Sequence, residues 1–398
     1  WCTNPLFAGG FIWVYCDEAP KRSDKGGILD SDKSNAPDGV VGPRREKEGS
    51  YYAIRAQWSP IQLKPLLITN HFDGRFLLTN EYTFTNLKDC RMTYKVLSCG
   101  TPLQGNAEAG KVIAEGKVQL PSINPGETGT ARFELPDSFR EGDVLELEAF
   151  DKEGKSICNW TYPIHLAKQY FERNLAQTTL TPAPQKAEAR QTSDAIELKS
   201  SKVSITFDAA TGMIRHIKSG ETEVPFKDGP VAIGMKMRYE PSLSYTRHSS
   251  DGAIYCAKYK GAADSIVWRL TNEGLLYMDA ILLNRGSGGG GFDDAFMDAQ
   301  VFNLGLSFSY PEQNCSGMKW MGRGPYRVWK NRIPGTNYGI WHKDYNNTIT
   351  GESFENLIYP EFKGYHANLY WATLEGEKTS FTVYSRNDGT FFRLFTPE

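Results

Sequence analysis

The chain has 398 residues, enough for two or three domains that each bury a core. Its formal net charge is -2, with 45 Lys and Arg against 47 Asp and Glu, so composition gives no electrostatic case for a nucleic acid or an acidic membrane surface as partner. The 9 Trp and 20 Tyr suit contact with neutral sugars, whose C–H faces pack on rings, and equally suit a β-rich fold.

In chain order, the first informative stretch is Gly9-Gly10-Phe11-Ile12-Trp13-Val14-Tyr15-Cys16-Asp17-Glu18. Its β-branched and aromatic run predicts a buried strand, with Asp17 and Glu18 at the C-terminal end. In parallel α/β barrels that end carries the chemistry; the alternative is a plain core strand followed by two solvated acids. The polar loop from Ala19 to Gly42 lacks periodicity, and Asn35-Ala36-Pro37-Asp38-Gly39 marks a turn within it. After the charge run Arg44 to Glu48, Tyr51, Ile54 and Trp58 fall on one face of a helix that ends at Ser59-Pro60.

From about Ile61 to Leu166 the pattern changes to short alternating runs. Phe76 to Asn86 carries Leu78, Tyr82 and Phe84 among its larger residues, and Leu145, Leu147 and Ala149 share one side of Asp143 to Phe150. Turns such as Asn124-Pro125-Gly126 complete the signature of an immunoglobulin-like antiparallel sandwich. Residues 167–190, with Thr181-Pro182-Ala183-Pro184, read as a stiff linker. Beyond it, Val203, Ile205 and Phe207 lead into an Asp208–Gly212 turn and a partner strand, which is a hairpin. Ile266 to Leu270, Leu275 to Met278 and Val301 to Leu306 continue a second, larger antiparallel sandwich. Gly288 to Gly291 is no phosphate loop, because no Gly-Lys-Ser/Thr follows. Trp320, Trp329 and Trp341 read as core residues or as a ligand platform.

Several chemistries have no foothold. The seven cysteines show no C-x-x-C pair, so neither a zinc site nor a disulfide framework is expected; Cys90 and Cys99 could meet across a hairpin or stay as buried thiols. The six histidines lack H-x-x-x-H and H-x-H spacing, and no G-x-S-x-G elbow occurs. No apolar run approaches the roughly 18 residues of a membrane span. Glycoside hydrolysis needs two carboxyl groups about 5 to 9 Å apart, and Asp17 and Glu18, adjacent on a strand, would point to opposite faces.

Gly9-Gly10-Phe11-Ile12-Trp13 is similar to the last barrel strand of family 2 glycoside hydrolases. Trp320-Met321-Gly322-Arg323-Gly324-Pro325, Asn331-Arg332 and Tyr359-Pro360-Glu361 resemble the C-terminal domain of the large bacterial β-galactosidases, in the same order. The resemblance implies a mainly β chain: residues 1–60 as the end of a (β/α)8 barrel, 61–166 as an immunoglobulin-like sandwich, 167–190 as a linker, and 191–398 as a small-chain-like supersandwich that stops short. It implies a retaining enzyme for terminal β-D-galactosides, whose two catalytic glutamates come from earlier barrel strands. The chain would then hold no catalytic residue and be inactive alone. Related exo-glycosidases with another sugar preference, or a non-catalytic carbohydrate-binding module, are the alternatives.

By the same resemblance Trp13 walls the sugar pocket, Asp17 is a nearby acid, and Asn35 and Asp38 stand on the rim. Asn35 and Asp38 would also belong to a sodium site, although Asp38 replaces the usual Asn; no cofactor is required, with Na+ or Mg2+ possible as in the family. A β-galactoside or oligosaccharide is the implied partner, with no nucleic acid, no membrane span and a homo-oligomeric assembly. The bacterial periplasm and the cytoplasm both remain open. The strand-like end at Phe391 to Phe395 predicts an open sheet edge that associates.

Overall fold

The structure, a computed structural model, describes residues 9–29, 38–233, 237–261, 263–282, 304–345 and 364–394. The chain is mainly β, in antiparallel sheets. Its contacts outline two compact units, one from Trp1–Thr178, Gly317–Leu374 and Thr382–Glu398, the other from Thr179–Ser316 and Glu375–Phe381.

In the first unit, β1 (Lys21–Arg22) and β2 (Ile28–Leu29) make a short antiparallel pair, and α1 (Gly49–Gln57) follows. The helix starts later than the charge run suggested, because Arg44 to Glu48 belong to turns and an extended approach. Arg55 ties it to the sandwich through Nε to the Ile157 carbonyl at 2.7 Å and Nη2 to Ser156 Oγ at 2.8 Å. Trp58, expected with Tyr51 and Ile54 on one face of the helix, lies exposed just past its end.

The sandwich uses β3 (Ile61–Leu63), β4 (Arg75–Asn80), β5 (Arg91–Ser98), β6 (Lys111–Val118), β7 (Thr128–Arg132), β8 (Val144–Phe150) and β9 (Ser156–Pro163). One sheet runs β3-β4-β7 and the other β6-β5-β8-β9. Alternation decides the faces: Phe76 and Leu78 from β4, Met92 and Val96 from β5, and Leu145, Leu147 and Ala149 from β8 meet in one buried core. Phe84, expected in the same run, is exposed because β4 ends at Asn80. The fully buried Asn80 side chain donates to the carbonyls of Thr85 at 2.9 Å and Ile123 at 2.8 Å, and its Oδ1 accepts from Tyr82 N at 2.9 Å. That amide satisfies a tight turn where a strand would otherwise continue.

The stretch expected as a linker begins instead with α2 (Ala167–Ala176). Ala167, Tyr170 and Phe171 are buried on it, an apolar spacing the Pro-rich sequence downstream had obscured. The sheet ordered β22-β21-β23-β24 is formed by β21 (Gly317–Gly324), β22 (Asn337–Asp344), β23 (Trp371–Glu375) and β24 (Phe381–Tyr384). Met321, Tyr338, Tyr370 and Trp371 bury against Cys99, Val144, Ala167 and Tyr170. Tyr370 Oη donates to the His165 carbonyl at 2.6 Å, and Trp371 Nε1 donates to Tyr170 Oη at 3.2 Å. The expected domain 191–398 is therefore divided in the contacts: its Trp320 segment packs with the N-terminal sandwich.

The second unit holds β10 (Glu188–Gln191), β11 (Ala195–Lys199), β12 (Val203–Asp208), β13 (Ile214–Ser219) and β14 (Thr222–Val224) in one antiparallel sheet. β15 (Asp228–Ile233) pairs with β20 (Gly305–Ser309). β16 (Met237–Ser249), β17 (Gly252–Gly261), β18 (Ala263–Thr271) and β19 (Leu276–Leu282) form another sheet in sequence order. The expected hairpin is present, with Ile205 opposite Ile217 and Asp208 Oδ1 accepting from Thr211 N at 2.8 Å. Gly212 turns it at φ +72°, where a Cβ would strike the Tyr259 hydroxyl. Ile205, Phe207, Tyr255 and Trp268 centre the core of this unit. Gly288 to Gly291, Val301 to Asn303 and Tyr359 to Glu361 lie outside the described residues.

Candidate functional site

The run expected to be a buried strand is neither strand nor buried. Phe11 is fully exposed, Trp13 is 78% exposed and Tyr15 58%. A strand needs a ladder on at least one edge, and among the described residues this run pairs only where it ends. There Val40 N donates to Val14 O at 3.0 Å, Val41 N to Tyr15 O at 3.0 Å and Asp17 N to Val41 O at 2.9 Å, with Cys16 and Val41 in a parallel bridge. Val41 in turn pairs antiparallel with Lys47. Three short chain segments thus run side by side, and they deliver Asp17 and Glu48.

Both acids are buried, each 6% exposed. Gly39 N donates to Asp17 Oδ1 at 2.7 Å, which is possible because Gly39 has no side chain: a Cβ there would collide with Asp17 N and the Cys16 carbonyl carbon. Asp17 Oδ2 and Glu48 Oε1 are buried and accept no hydrogen bond. Glu48 occupies the position before α1 but its side chain makes no cap there.

Burial raises the Asp17 carboxyl above its ordinary range; the Gly39 N–H opposes this, and the nearby Asp38 and Glu46 carboxylates reinforce it. Burial, with the charges of Asp17 and Glu46, pushes Glu48 up to about 8. Glu48 consequently carries a proton at neutral pH, while the Gly39 N–H favours ionised Asp17. The arrangement can hold a proton donor and an acceptor out of water, which a solvated acid pair cannot do.

Of the residues singled out from sequence, Asp17 and Asp38 come close enough for the Asp38 charge to act on the Asp17 carboxyl, while Trp13, just before the Val14–Val40 crossing, stands exposed. Asp38 is exposed on the loop, and Asn35 lies outside the described residues. Asp17 turns inward while Glu18 is exposed, as adjacency on an extended segment requires. Glu48 was missed, because it closes a five-residue charge run that reads as a solvated helix start. The signal available was its place directly before the glycine that opens α1. Among the described residues no group of three or more His, Cys, Asp or Glu is arranged to hold a metal ion.

Residues 76–160 match the family model described as β-galactosidase, domain 4. This segment is similar to β-galactosidase domain 4. It lies within the β4–β9 sandwich, so the domain 4 match and the observed sheets agree on this region, and the chain is β-galactosidase-like there. No curated protein matches the sequence. Solved structures that match include the exo-chitosanase CsxA of Amycolatopsis orientalis, at 10% identity over 61% of this chain and 29% of that one, with a TM-score of 0.18. A structure of the exo-β-D-glucosaminidase CsxA from a study of its inhibition by a glucosamine-configured castanospermine and an amino-australine analogue gives the same identity of 10%, coverage of 61% and 29%, and TM-score of 0.18. At that score neither superposes well enough to speak for the fold, and the chain spans 29% of their length. No helix among the described residues is long and apolar enough to cross a membrane.

Proposed function

We propose that this chain is the C-terminal portion of a retaining family 2 glycoside hydrolase that cleaves terminal β-D-galactosides. The domain 4 match at residues 76–160 carries the reading. In it, residues 1–60 end a (β/α)8 barrel and deliver the substrate-facing side chains, while the domain 4 sandwich is a spacer without chemistry of its own. Trp13 offers an exposed ring to the sugar, and Asp38, also exposed, contributes to the rim. Asp17, hydrogen-bonded to Gly39, holds the rim loop in place. The acid and the nucleophile belong, by the family resemblance, to earlier barrel strands. Na+ or Mg2+ binding near Asn35 and Asp38, and assembly as a homo-oligomer, are part of the same reading.

The test is hydrolysis of an aryl β-galactoside by this 398-residue chain beside the full-length gene product. Turnover by the full-length protein alone is expected. Turnover by the chain itself would mean that an acid pair lies within it and would overturn the assignment. Aryl β-glucosaminide and β-glucuronide run alongside would reveal another sugar preference, and glycan binding without any turnover would mark a binding module.

A further inference from the structure

Asp17 and Glu48 end the outer two of the three segments that run side by side, and Val41 joins those two through its parallel bridge with Cys16 and its antiparallel one with Lys47. The loop that follows Val41 closes through Gly42 N to the Glu46 carbonyl at 3.0 Å. It turns at Arg45, whose φ of +66° lies in the left-handed region that a residue with a side chain enters only at a cost. A segment held by so few backbone hydrogen bonds belongs to the low-stability end of a protein, where parts open locally while the rest stays folded.

What the loop closes over is unbalanced in charge. Asp17 Oδ2 and Glu48 Oε1 are sealed from water, and neither accepts a hydrogen bond. The charges that act on Glu48 are both negative, Asp17 from the segment across and Glu46 from its own loop, while Asp38 and Glu46 act on Asp17. The loop's cations stand over rings, Arg45 at 5.6 Å from the centre of Tyr15 and Lys47 at 5.0 Å from that of Tyr51. Where α1 begins, the neighbour is aromatic too: a Cβ on Gly49 would lie 3.5 Å from the Tyr326 ring. With Glu48 protonated, the buried pair carries one negative charge at most. With Glu48 ionised it carries two, within reach of each other and out of water, which burial strongly disfavours.

We propose that Glu48 is the catch of a proton-operated latch. Protonated, it lets the loop of residues 40–47 close on residues 15–17; once its proton passes to water, the carboxylate follows it into solvent and the loop opens. Trp13 and Asp38, close to Val14 and Val40 in the chain, then lose the backbone hydrogen bond that fixes the crossing between them. Burial and the two negative neighbours set the change at about pH 8. The latch does not depend on which ligand, if any, meets Trp13.

Hydrogen exchange of the chain, read by mass spectrometry from about pH 6 to about pH 9.5 with labelling times scaled to the intrinsic rate, tests it. Peptides that contain the Asp17, Val40 and Val41 amides are expected to lose about tenfold or more in protection across about pH 8, while peptides of β8 keep theirs. Glu48→Gln, which keeps the shape of the side chain without the acid, should hold that protection to the end of the range. Asp17→Asn keeps an acceptor for Gly39 N but removes the charge that repels ionised Glu48, so it should blunt the loss. It decides the matter if Glu48→Gln fails to fold. A loss of the same size and midpoint in folded Glu48→Gln would overturn the latch, as would unchanged protection of the wild-type loop throughout. Parallel loss in β8 would mean that the whole unit unfolds, and would overturn it as well.

Discussion

The β8 strand and the Phe11–Tyr15 run both carry apolar side chains and meet opposite fates. Leu145, Leu147 and Ala149 are fully buried because β8 has β5 on one side, β9 on the other, and a second sheet against its inner face. Phe11, Trp13 and Tyr15, with the stronger β-forming residues, lie open to solvent. An apolar sequence therefore states a demand for burial, and the ladder available to it decides whether the demand is met.

The sharpest way to break this contrast is to empty the sandwich. Leu147→Ala should destabilise the first unit by about 2–5 kcal/mol in urea unfolding, as a large cavity in a rigid core does. Gly39→Ala comes next: its Cβ must displace the Asp17 and Cys16 backbone, and a loss of about 1–3 kcal/mol is expected with the Asp17 hydrogen bond gone. The pH dependence sharpens the buried end of the same segment. Glu48 titrates near 4.5 when unfolded and at about 8 when folded, so the folded state holds the extra proton in between. Its contribution is best below pH 4.5 and is lost as pH rises through about 8; the urea midpoint should fall over that window in wild type and fall less in Glu48→Gln. The smallest effect belongs to the exposed end, where Phe11→Ser should change stability by less than about 0.5 kcal/mol in this chain. A larger loss there would mean that the ring is packed in solution.

What could be read in advance follows the same division. The hairpin at Asp208–Gly212 and the faces of β8 were legible because alternation and turn chemistry are local. Phe84 was misread since a single amide, Asn80, ends the strand early, and no period reveals that. Helix α2 was hidden by the prolines after it. The acid site was half legible: Asp17 stood out at the end of an apolar run, whereas Glu48 became an acid of interest only when Val41 placed Lys47 beside the Cys16 bridge.

The first unit is written in three pieces, with Thr179–Ser316 set between the second and the first. Thr101 Oγ1 meets Tyr384 Oη at 2.9 Å across 283 positions of sequence. On a ribosome, the intervening unit has all but its short Glu375–Phe381 return available long before that contact can form. Until then Tyr170, Val144 and Cys99 wait without the Trp371 sheet that buries them, a loop closure that the chain must complete last and that makes this unit the slower of the two to mature.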